Sequence, residues 1–300
     1  MRRMKVLMGI VLMSNVTFAQ APVFRQFFFN PYLFNSSYVG YSKKTELAIT
    51  HRQQWIGFQD APRVSAIAFQ LPLKKLSLGV TMVTNEAASL ERSSAVFTFG
   101  YKIKINDNHS VRFGISGGTG YSKLNVGDAD FSNDPAVLNS GANQFYASGN
   151  FGMVYVVKGW QLGFALPEII GQPYIDHQND YRQLRRQLYS LSYRKFNLEG
   201  IAVNPYFIFN TNLLSQNSWE AATVMYYKEK IWTGLSYHQY NGGGFFFGLK
   251  ILEGFQFSYS YELPPVSQSF VNTASHEFQM KLSSGLFRAK NHPQAESPGH

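Results

Sequence analysis

Histidine is the residue type here that most often binds metal ions or transfers protons, and the histidines are scattered along the chain. The seven histidines stand at positions 51, 109, 177, 238, 276, 292 and 300. No two have metal-ligand spacing, such as positions four apart with a carboxylate between them. The chain has no cysteine, which excludes thiolate metal sites, cysteine nucleophiles and disulfides. We therefore expect the histidines to be interior, turn or tail residues and not ligands.

Three other sets of residues could support chemistry, and each has a plainer interpretation. Asp128, Asp130, Asn133 and Asp134 offer oxygen ligands for calcium, but their spacing does not fit an EF-hand loop. The run at 241–244 predicts a hairpin loop and not a phosphate cradle, because no helix follows it. A lipolytic enzyme would need a serine and a histidine on neighbouring strands, and no motif marks such a pair. The sequence therefore predicts that the chain is not an enzyme and needs no cofactor or metal.

The composition and the hydropathy period indicate which frame holds these residues. Aromatic residues make up 16% of the chain and charged residues 15%, whereas soluble domains carry about 25% charged residues. From Thr45 onward apolar and polar residues alternate with a period of two, as at 255–262. One face is aromatic and apolar, while the other is rich in Gly, Ser and occasional charges. This pattern is typical of an all-β, transmembrane, antiparallel up-and-down β-barrel.

A soluble β-sandwich also alternates, but its polar face need not be as small and crowded as a barrel lumen. Strands of the barrel are predicted near 45–54, 63–71, 76–85, 92–104, 109–122, 144–158, 160–166, 186–197, 200–211, 217–228, 230–239, 243–252, 254–263 and 274–287. The seventh is short, and the ninth contains Pro205, which cannot donate to a ladder and suggests a bulge or a strand end. The prediction is therefore about 14 strands, with 12 as the alternative.

The connections between these strands alternate in length. Short turns are predicted at 72–75, 105–108, 158–159, 198–200, 228–230 and 253–254. Longer loops are predicted at 55–62, 85–91, 123–143, 167–185 and 263–273. Such alternation is that of periplasmic turns and extracellular loops, with both termini in the periplasm.

Three segments are predicted to lie outside the barrel at 45–287. Residues 1–19 have the cationic start, the apolar stretch and the terminal Ala19 of a signal peptide. Residues 20–44 form an N-terminal plug or partner segment, and residues 288–300 a disordered periplasmic tail. Cleavage removes three cations and lowers the net charge from +9 to +6. Because no basic run is clustered in the sequence, no nucleic-acid partner is expected.

Charged and aromatic residues of the strands are assigned to the two faces. The charges predicted to face the lumen are Glu46, Arg52, Lys102, Lys104, Arg112, Arg194, Lys250, Glu262 and Glu277. We expect them to pair with one another or with the N-terminal segment, and a selectivity lining is the alternative. Trp55, Trp160, Trp219 and Trp232 fall near strand ends, which predicts interfacial girdle residues.

Two segments near the N-terminus are distinctive. Residues 24–40 read FRQFFFNPYLFNSSYVG, and residues 52–62 read RQQWIGFQDAP. In this order they resemble the opening of the PorP/SprF family of Bacteroidota, and further matches lie at 72–79, 113–118 and 275–277. Ser36-Ser37 stands where the family often has Pro-Ala, and Asp60 stands where it has Gly before Ala-Pro.

The resemblance implies an outer-membrane protein of the type IX secretion and gliding machinery. Members of the family serve the secretion or surface anchoring of particular cargo proteins, often large adhesins. The partners implied are outer-membrane lipid, a secreted or surface protein and a periplasmic protein linked to peptidoglycan. We therefore predict a docking platform; the alternative is a channel or hydrophobic-solute transporter with an N-terminal hatch.

The N-terminal segment is too aromatic to remain in water, so it must be buried in the lumen or against a partner. Asn30-Pro31 is a turn signal that allows the segment to double back. The plug is the favoured interpretation, and a simple seal of the barrel mouth without a partner is the alternative. The candidate plug or partner-binding residues are Phe27, Phe28, Phe29, Asn30, Pro31, Tyr38, Gly40, Arg52, Trp55, Gly57 and Pro62.

Overall fold

A computed structural model describes residues 24–58, 60–124, 144–170, 186–197, 200–212, 216–263 and 274–284. Within these ranges the chain forms one antiparallel sheet in which each strand pairs with its sequence neighbours. The last strand pairs with the first, with Glu46 opposite Ser283, so the sheet closes on itself. No helix of the described ranges is long and apolar enough to cross a membrane. The chain is therefore a closed β-barrel.

The strands from the N-terminus are β1 Glu46–Gln53, β2 Arg63–Leu73, β3 Leu76–Ala87, β4 Leu90–Lys104, β5 His109–Leu124, β6 Gln144–Val157, β7 Trp160–Ile170, β8 Arg186–Tyr193, β9 Lys195–Asn197, β10 Ile201–Asn212, β11 Ser218–Tyr227, β12 Ile231–His238, β13 Gly242–Leu252, β14 Phe255–Glu262 and β15 Ser275–Ser283. Strands β8 and β9 both pair with β10 in one register and are two parts of one barrel strand. The barrel therefore has fourteen strands, and the predicted fold class is confirmed.

Two doubtful strands are regular parts of the barrel. Strand β7 has 11 residues, longer than predicted, and its pairing with β6 shifts register between Gly149 and Phe151. The prediction of a bulge or strand end at Pro205 is wrong, because Pro205 pairs in register with Thr223. The break falls instead on the neighbouring strand, at Arg194 between β8 and β9. Since proline has no N–H to donate, the ladder can be interrupted on that side without disturbing β10.

The predicted loop at 85–91 is also wrong. Strands β3 and β4 continue to a two-residue turn at Ala88 and Ser89, and Ala88 has a φ of 50°. The ladder continues through polar pairs such as Asn85 with Arg92. Beyond the belt of apolar residues on the outer wall of the barrel, both faces of a strand become polar. The apolar–polar alternation therefore disappears from the sequence although the strand continues.

The two ends of the barrel differ in their connections. One end has tight turns, such as Lys158-Gly159 and Lys228-Glu229, in which both residues of each pair have positive φ. Such turns match the right-handed twist of hairpins. We call this the short-turn end and the opposite one the long-loop end. The signal peptide at 1–19, the acidic loop residues at 128–134 and the tail at 288–300 lie outside the described residues.

Inward and outward faces alternate as predicted. On β2, Val64, Ala66 and Ala68 are buried, while Ile67 and Phe69 are exposed. Trp55 and Trp160 are exposed, in keeping with a girdle. Trp232 corrects that prediction, because it points inward and is buried.

Residues 24–41 pack against the inward faces of strands on all sides of the barrel. Arg25 pairs with Glu220 on β11, and the Asn35 amide donates to the Phe164 carbonyl on β7 at 3.1 Å. The phenol of Tyr32 donates to Thr98 on β4 at 2.6 Å. These contacts place the segment within the barrel, where it forms the core.

The core has two apolar parts. The first contains Phe27, Phe28 and Phe29, which pack against Trp232 and Phe246. The ring of Phe28 lies 4.4 Å from that of Phe246, which is the large apolar residue among the small inward residues Gly244 and Gly248 of β13. Phe246 interrupts the alternation of apolar outward and polar inward residues along β13, and its contact with Phe28 explains why. The second part is built around Tyr32, Tyr38 and Val39.

Inward glycines make room for the segment. A β-carbon at Gly114 would lie 2.3 Å from the Ser36 carbonyl oxygen, and one at Gly152 would lie 2.0 Å from the Asn35 side chain. The glycine-rich inward face thus reflects close approach of another backbone. Gly117, on the outward face of the same strand as Gly114, has no atom within 4 Å of a built β-carbon.

The first prediction compares these two glycines of β5. Gly114→Ala should destabilise the barrel by about 1–3 kcal/mol, because the methyl group forces Ser36 away from the wall. Gly117→Ala should change the free energy of unfolding by less than about 0.5 kcal/mol. Denaturant unfolding in detergent, followed by tryptophan fluorescence, measures both. Equal stability of the two variants would contradict the packing of Ser36 on Gly114.

Candidate functional site

The candidate site is the contact between the N-terminal segment and the barrel wall. A 3-10 turn at Pro31–Leu33 follows Asn30, as the Asn-Pro pair predicts, and a second turn spans Ser36–Tyr38. Asn35 caps the second turn by accepting a hydrogen bond from the Ser37 N–H at 3.0 Å. The two turns let the segment change direction inside the barrel without pairing to a strand.

The segment runs from the long-loop end to the short-turn end. Arg25 lies beside Glu262, the last residue of β14, and Arg52, near the end of β1. Gly40 lies at the other end, where a β-carbon would meet Ser77 at 2.4 Å. The φ of Gly40 is 65°, and its N–H donates to Gln70 at 2.9 Å.

Five charged side chains form a buried ion cluster near the long-loop end. Arg25 donates to Glu220 at 2.9 Å and also to Glu262. Arg52 donates to Glu262 at 2.8 Å and lies 3.7 Å from Glu277. All five are buried, and Arg52 and Glu277 are almost completely enclosed. The cluster joins the N-terminal segment to β1, β11, β14 and β15.

Glu277 also binds the main chain of the segment. It accepts from the N–H of Arg25 at 2.7 Å and from that of Gln26 at 3.0 Å. The amide of Gln279 donates to the same carboxylate at 2.7 Å. Charge-assisted hydrogen bonds of this kind are about twice as strong as neutral ones. Glu277 therefore fixes the backbone position, while Glu220 and Glu262 recognise the guanidinium.

Electrostatics keep Arg25 charged. Burial alone would lower the pKa of Arg25, but the carboxylates of Glu220 and Glu262 raise it above its usual value. Two arginines face three glutamates, so the cluster carries a net charge of −1 if every group is ionised. Elsewhere in the segment, burial raises the pKa of Tyr32 to about 12. The segment thus stays singly cationic at its start and neutral along its aromatic part at physiological pH.

A buried arginine helps to hold the short-turn side of the segment. Arg112 on β5 donates to the carbonyls of Ser37 at 3.1 Å and Val39 at 2.6 Å. Its guanidinium also lies 5.4 Å from the centre of the Tyr41 ring. The segment is therefore attached at both ends by charged groups, with the aromatic core between them.

The predicted site residues separate into two groups. The structure brings together Phe27, Phe28, Phe29, Asn30, Pro31, Tyr38, Gly40 and Arg52 around the segment. Trp55, Gly57 and Pro62 belong to the loop between β1 and β2. Trp55 has a φ of 47° and Gly57 a φ of 100°.

The sequence interpretation missed several residues of the site. Arg25 is the only charge between positions 24 and 42, which could have marked it as the residue that the lumen must pair. Glu220 lies on the inward face of β11 with Ala222 and Val224, so the alternation could have identified it. Gln279 lies on the same inward face as Glu277, so the alternation could have identified it as well, whereas Gln26 carries no such signal.

One serine–histidine pair does exist on the outer face. His51 Nδ1 lies 2.9 Å from Ser65 Oγ on the neighbouring strand, and both side chains are exposed. In the part of the chain that the structure describes, no carboxylate or amide hydrogen-bonds the other ring nitrogen. Without that orienting group the pair does not have the geometry of a triad. The same described residues contain no group of three or more acidic, histidine or cysteine side chains placed to hold a metal ion.

The second prediction tests the ion cluster. Arg25→Met should destabilise the protein by about 3–5 kcal/mol, because it leaves buried carboxylates without their donor. The double variant Arg25→Met/Glu220→Gln should recover part of this loss. Arg63, which is half-exposed and lies 3.6 Å from Glu86, provides the control, and Arg63→Met should cost less than about 1 kcal/mol. Denaturant unfolding of all variants measures these differences, and equal losses for Arg25→Met and Arg63→Met would refute the role of the cluster.

Solved structures share the fold at very low sequence identity. The toluene transporter TodX of P. putida is 8% identical, with a TM-score of 0.51 over 85% of this chain and 92% of its own. Acinetobacter baumannii Omp33 is 7% identical, with a TM-score of 0.48 over 80% of this chain and 98% of its own. The likeness to TodX shows the barrel fold alone. A search of curated proteins gives no match.

The family comparison covers nearly the whole chain. The model of the type IX secretion system membrane protein PorP/SprF matches residues 16–282, which include the N-terminal segment and almost all of the barrel. The protein is thus an outer-membrane barrel. The chain belongs to the PorP/SprF family of type IX secretion system membrane proteins.

Proposed function

We propose that this barrel is a closed docking platform for specific secreted or surface-anchored cargo of the type IX system. Its N-terminal segment acts as a plug, and partners bind its ends. The observation that carries the proposal is the attachment of residues 24–41 to opposite walls by the ion cluster and by Arg112. A solute could pass only if these buried contacts were broken, whereas a docked protein needs no open lumen.

The loop between β1 and β2 is the proposed cargo contact. Its side chains Trp55, Ile56 and Phe58 are 36%, 43% and 49% exposed. Backbone hydrogen bonds hold the loop in place, from Ile56 N–H to the Ala274 carbonyl at 3.0 Å and from Phe58 N–H to the Trp55 carbonyl at 3.1 Å. A rigid aromatic surface costs little conformational entropy to bind, and aromatic residues dominate interface hot spots. We call Trp55, Ile56 and Phe58 the apolar tip.

The competing function is a channel or hydrophobic-solute transporter in which the segment is a hatch. One observation favours this channel or transporter function. Residues 24–41 form 3-10 turns and do not pair with a strand of the wall. Conductance separates this function from the platform.

The third prediction concerns the closed lumen. In planar bilayers the wild-type protein should show little conductance, and a variant lacking residues 20–41 should conduct ions, because nothing then fills the lumen. Trp55→Ala/Phe58→Ala serves as the control and should stay closed, because the apolar tip lies outside the lumen. Steady conductance of the wild type would reject the platform and favour the hatch.

The fourth prediction concerns the apolar tip. Trp55→Ala/Phe58→Ala should reduce recovery of a surface or secreted protein about tenfold or more in a mild-detergent pull-down from native membranes, since each hot-spot aromatic contributes about 2 kcal/mol or more. Ile105→Ala/Leu252→Ala is the matched control, because both side chains are exposed apolar residues of the short-turn end. Equal recovery with both double variants would remove the apolar tip from the docking site.

A further inference from the structure

The short-turn end carries a concentration of positive charge that the linear sequence hides. Eight basic residues there come from six different strands or turns: Lys75, Lys102, Lys104, Lys158, Arg194, Lys228, Lys230 and Lys250. We call them the basic ring. Its members are spread from position 75 to position 250 of the sequence, and the topology brings them to one end of the barrel.

Few carboxylates offset this charge. The described acidic residues at the short-turn end are Glu46, Asp107, Glu229 and Glu253, and Glu46 is buried. Asp107 pairs with Lys104, Glu229 with Arg194, and Glu253 with Lys250 and, at 4.0 Å, with Lys44. Within the described ranges, no carboxylate lies at ion-pair distance from Lys75, Lys158 or Lys230.

The opposite rim is balanced. Its described charges are the acids Asp60, Glu86, Glu91 and Glu168 and the bases Arg63, Arg92, Lys123 and Arg186. The excess of positive charge is therefore a property of one end of the barrel and not of the whole surface.

The basic ring also has a preferred side of the wall. Its members on strands, Lys102, Lys104 and Lys250, continue the positions that point inward, as Lys102 follows the buried Thr98 and Gly100. The outward positions at the same rim are apolar and exposed, namely Leu73, Leu76, Ile103, Ile105, Ile231 and Leu252. Cations that served anionic lipid headgroups would occupy the outward positions. The arrangement favours a ligand that covers the mouth of the barrel.

We infer that the basic ring is a docking site for an acidic protein segment at the periplasmic mouth of the barrel. Seven of the eight residues are lysines, whose compact charges on flexible stems do not require the bidentate geometry that arginine gives to phosphate. A ring of several charges needs closely spaced anions, which a run of Asp and Glu supplies. Short turns of outer-membrane barrels face the periplasm, so the partner is a periplasmic one. The inference stands on the charge distribution and does not depend on the cargo-docking role of the apolar tip.

The test uses the full-length protein in nanodiscs of zwitterionic lipid. The probe is a fluorescent poly-glutamate peptide of about 20 residues, followed by anisotropy over a salt series. Wild type should bind it, and binding should weaken as salt shortens the Debye length from about 10 Å toward about 3 Å. A poly-lysine peptide of equal length controls for the sign of charge and should not bind.

Two matched variants locate the site. Lys75→Gln/Lys230→Gln should weaken poly-glutamate binding about fivefold, since it removes two exposed charge pairs. Arg63→Gln/Lys123→Gln removes the same charge from the opposite rim and should leave the affinity within about twofold of wild type. Thermal unfolding of both variants in detergent checks that the barrel is intact.

Three outcomes would overturn the inference. The first is failure of wild type to bind poly-glutamate, and the second is an equal loss in the two double variants. The third is competition by phosphatidylglycerol vesicles that removes poly-glutamate binding, which would identify the ring as a lipid contact. If poly-glutamate binds the ring while the cargo pull-down fails, the ring stands and only the cargo role is lost.

Discussion

Arg25 and the carboxylates around it set the condition on which the interior of this barrel depends. Glu220, Glu262 and Glu277 come from β11, β14 and β15, which are brought near Arg52 of β1 only when the sheet closes through the pairing of β15 with β1. A buried carboxylate without a partner is costly, and Arg52 alone cannot satisfy three of them. The barrel wall therefore requires a second cation, and the N-terminal segment carries one charge between positions 24 and 42 to supply it. The closed wall and the inserted segment stabilise each other.

This dependence accounts for other features of the wall. With the segment inside the barrel, its residues lie close to the backbone of the wall strands. Positions 114 and 152 therefore require glycine. Phe28 then needs an apolar neighbour, and Phe246 provides it among the small inward residues of β13. Trp232 turns inward for the same reason and stacks on Phe29 at 5.5 Å. Each of these residues departs from the simple rule of polar inside and apolar outside at a position where the segment packs.

The sequence predicted the barrel well because alternation is a local property imposed by lipid on every strand. All fourteen strands were located, and Arg52, Glu262 and Glu277 were assigned to the lumen. Partners across the lumen could not be predicted, since they depend on closure and register between residues more than 200 positions apart, such as Arg25 and Glu262. The turn at Ala88 was missed because the alternation fades where β3 and β4 leave the apolar band. Neither the apolar tip nor the basic ring follows from local pattern, because exposure and charge convergence belong to the folded rims.

The position of an inward-facing charge along the barrel axis determines whether the charge is buried and paired or exposed and available. In the wall near the long-loop end, inward charges are buried and are matched by a residue of the same chain. At the short-turn rim, inward positions are again charged, yet the described chain supplies too few carboxylates to match them. Buried charges need a partner, which is why Arg25 contacts the glutamates. Exposed charges do not, so the rim lysines can still bind anions. Burial makes such pairing obligatory inside, whereas water makes it optional at the rim, and optional pairing is what a reversible partner requires.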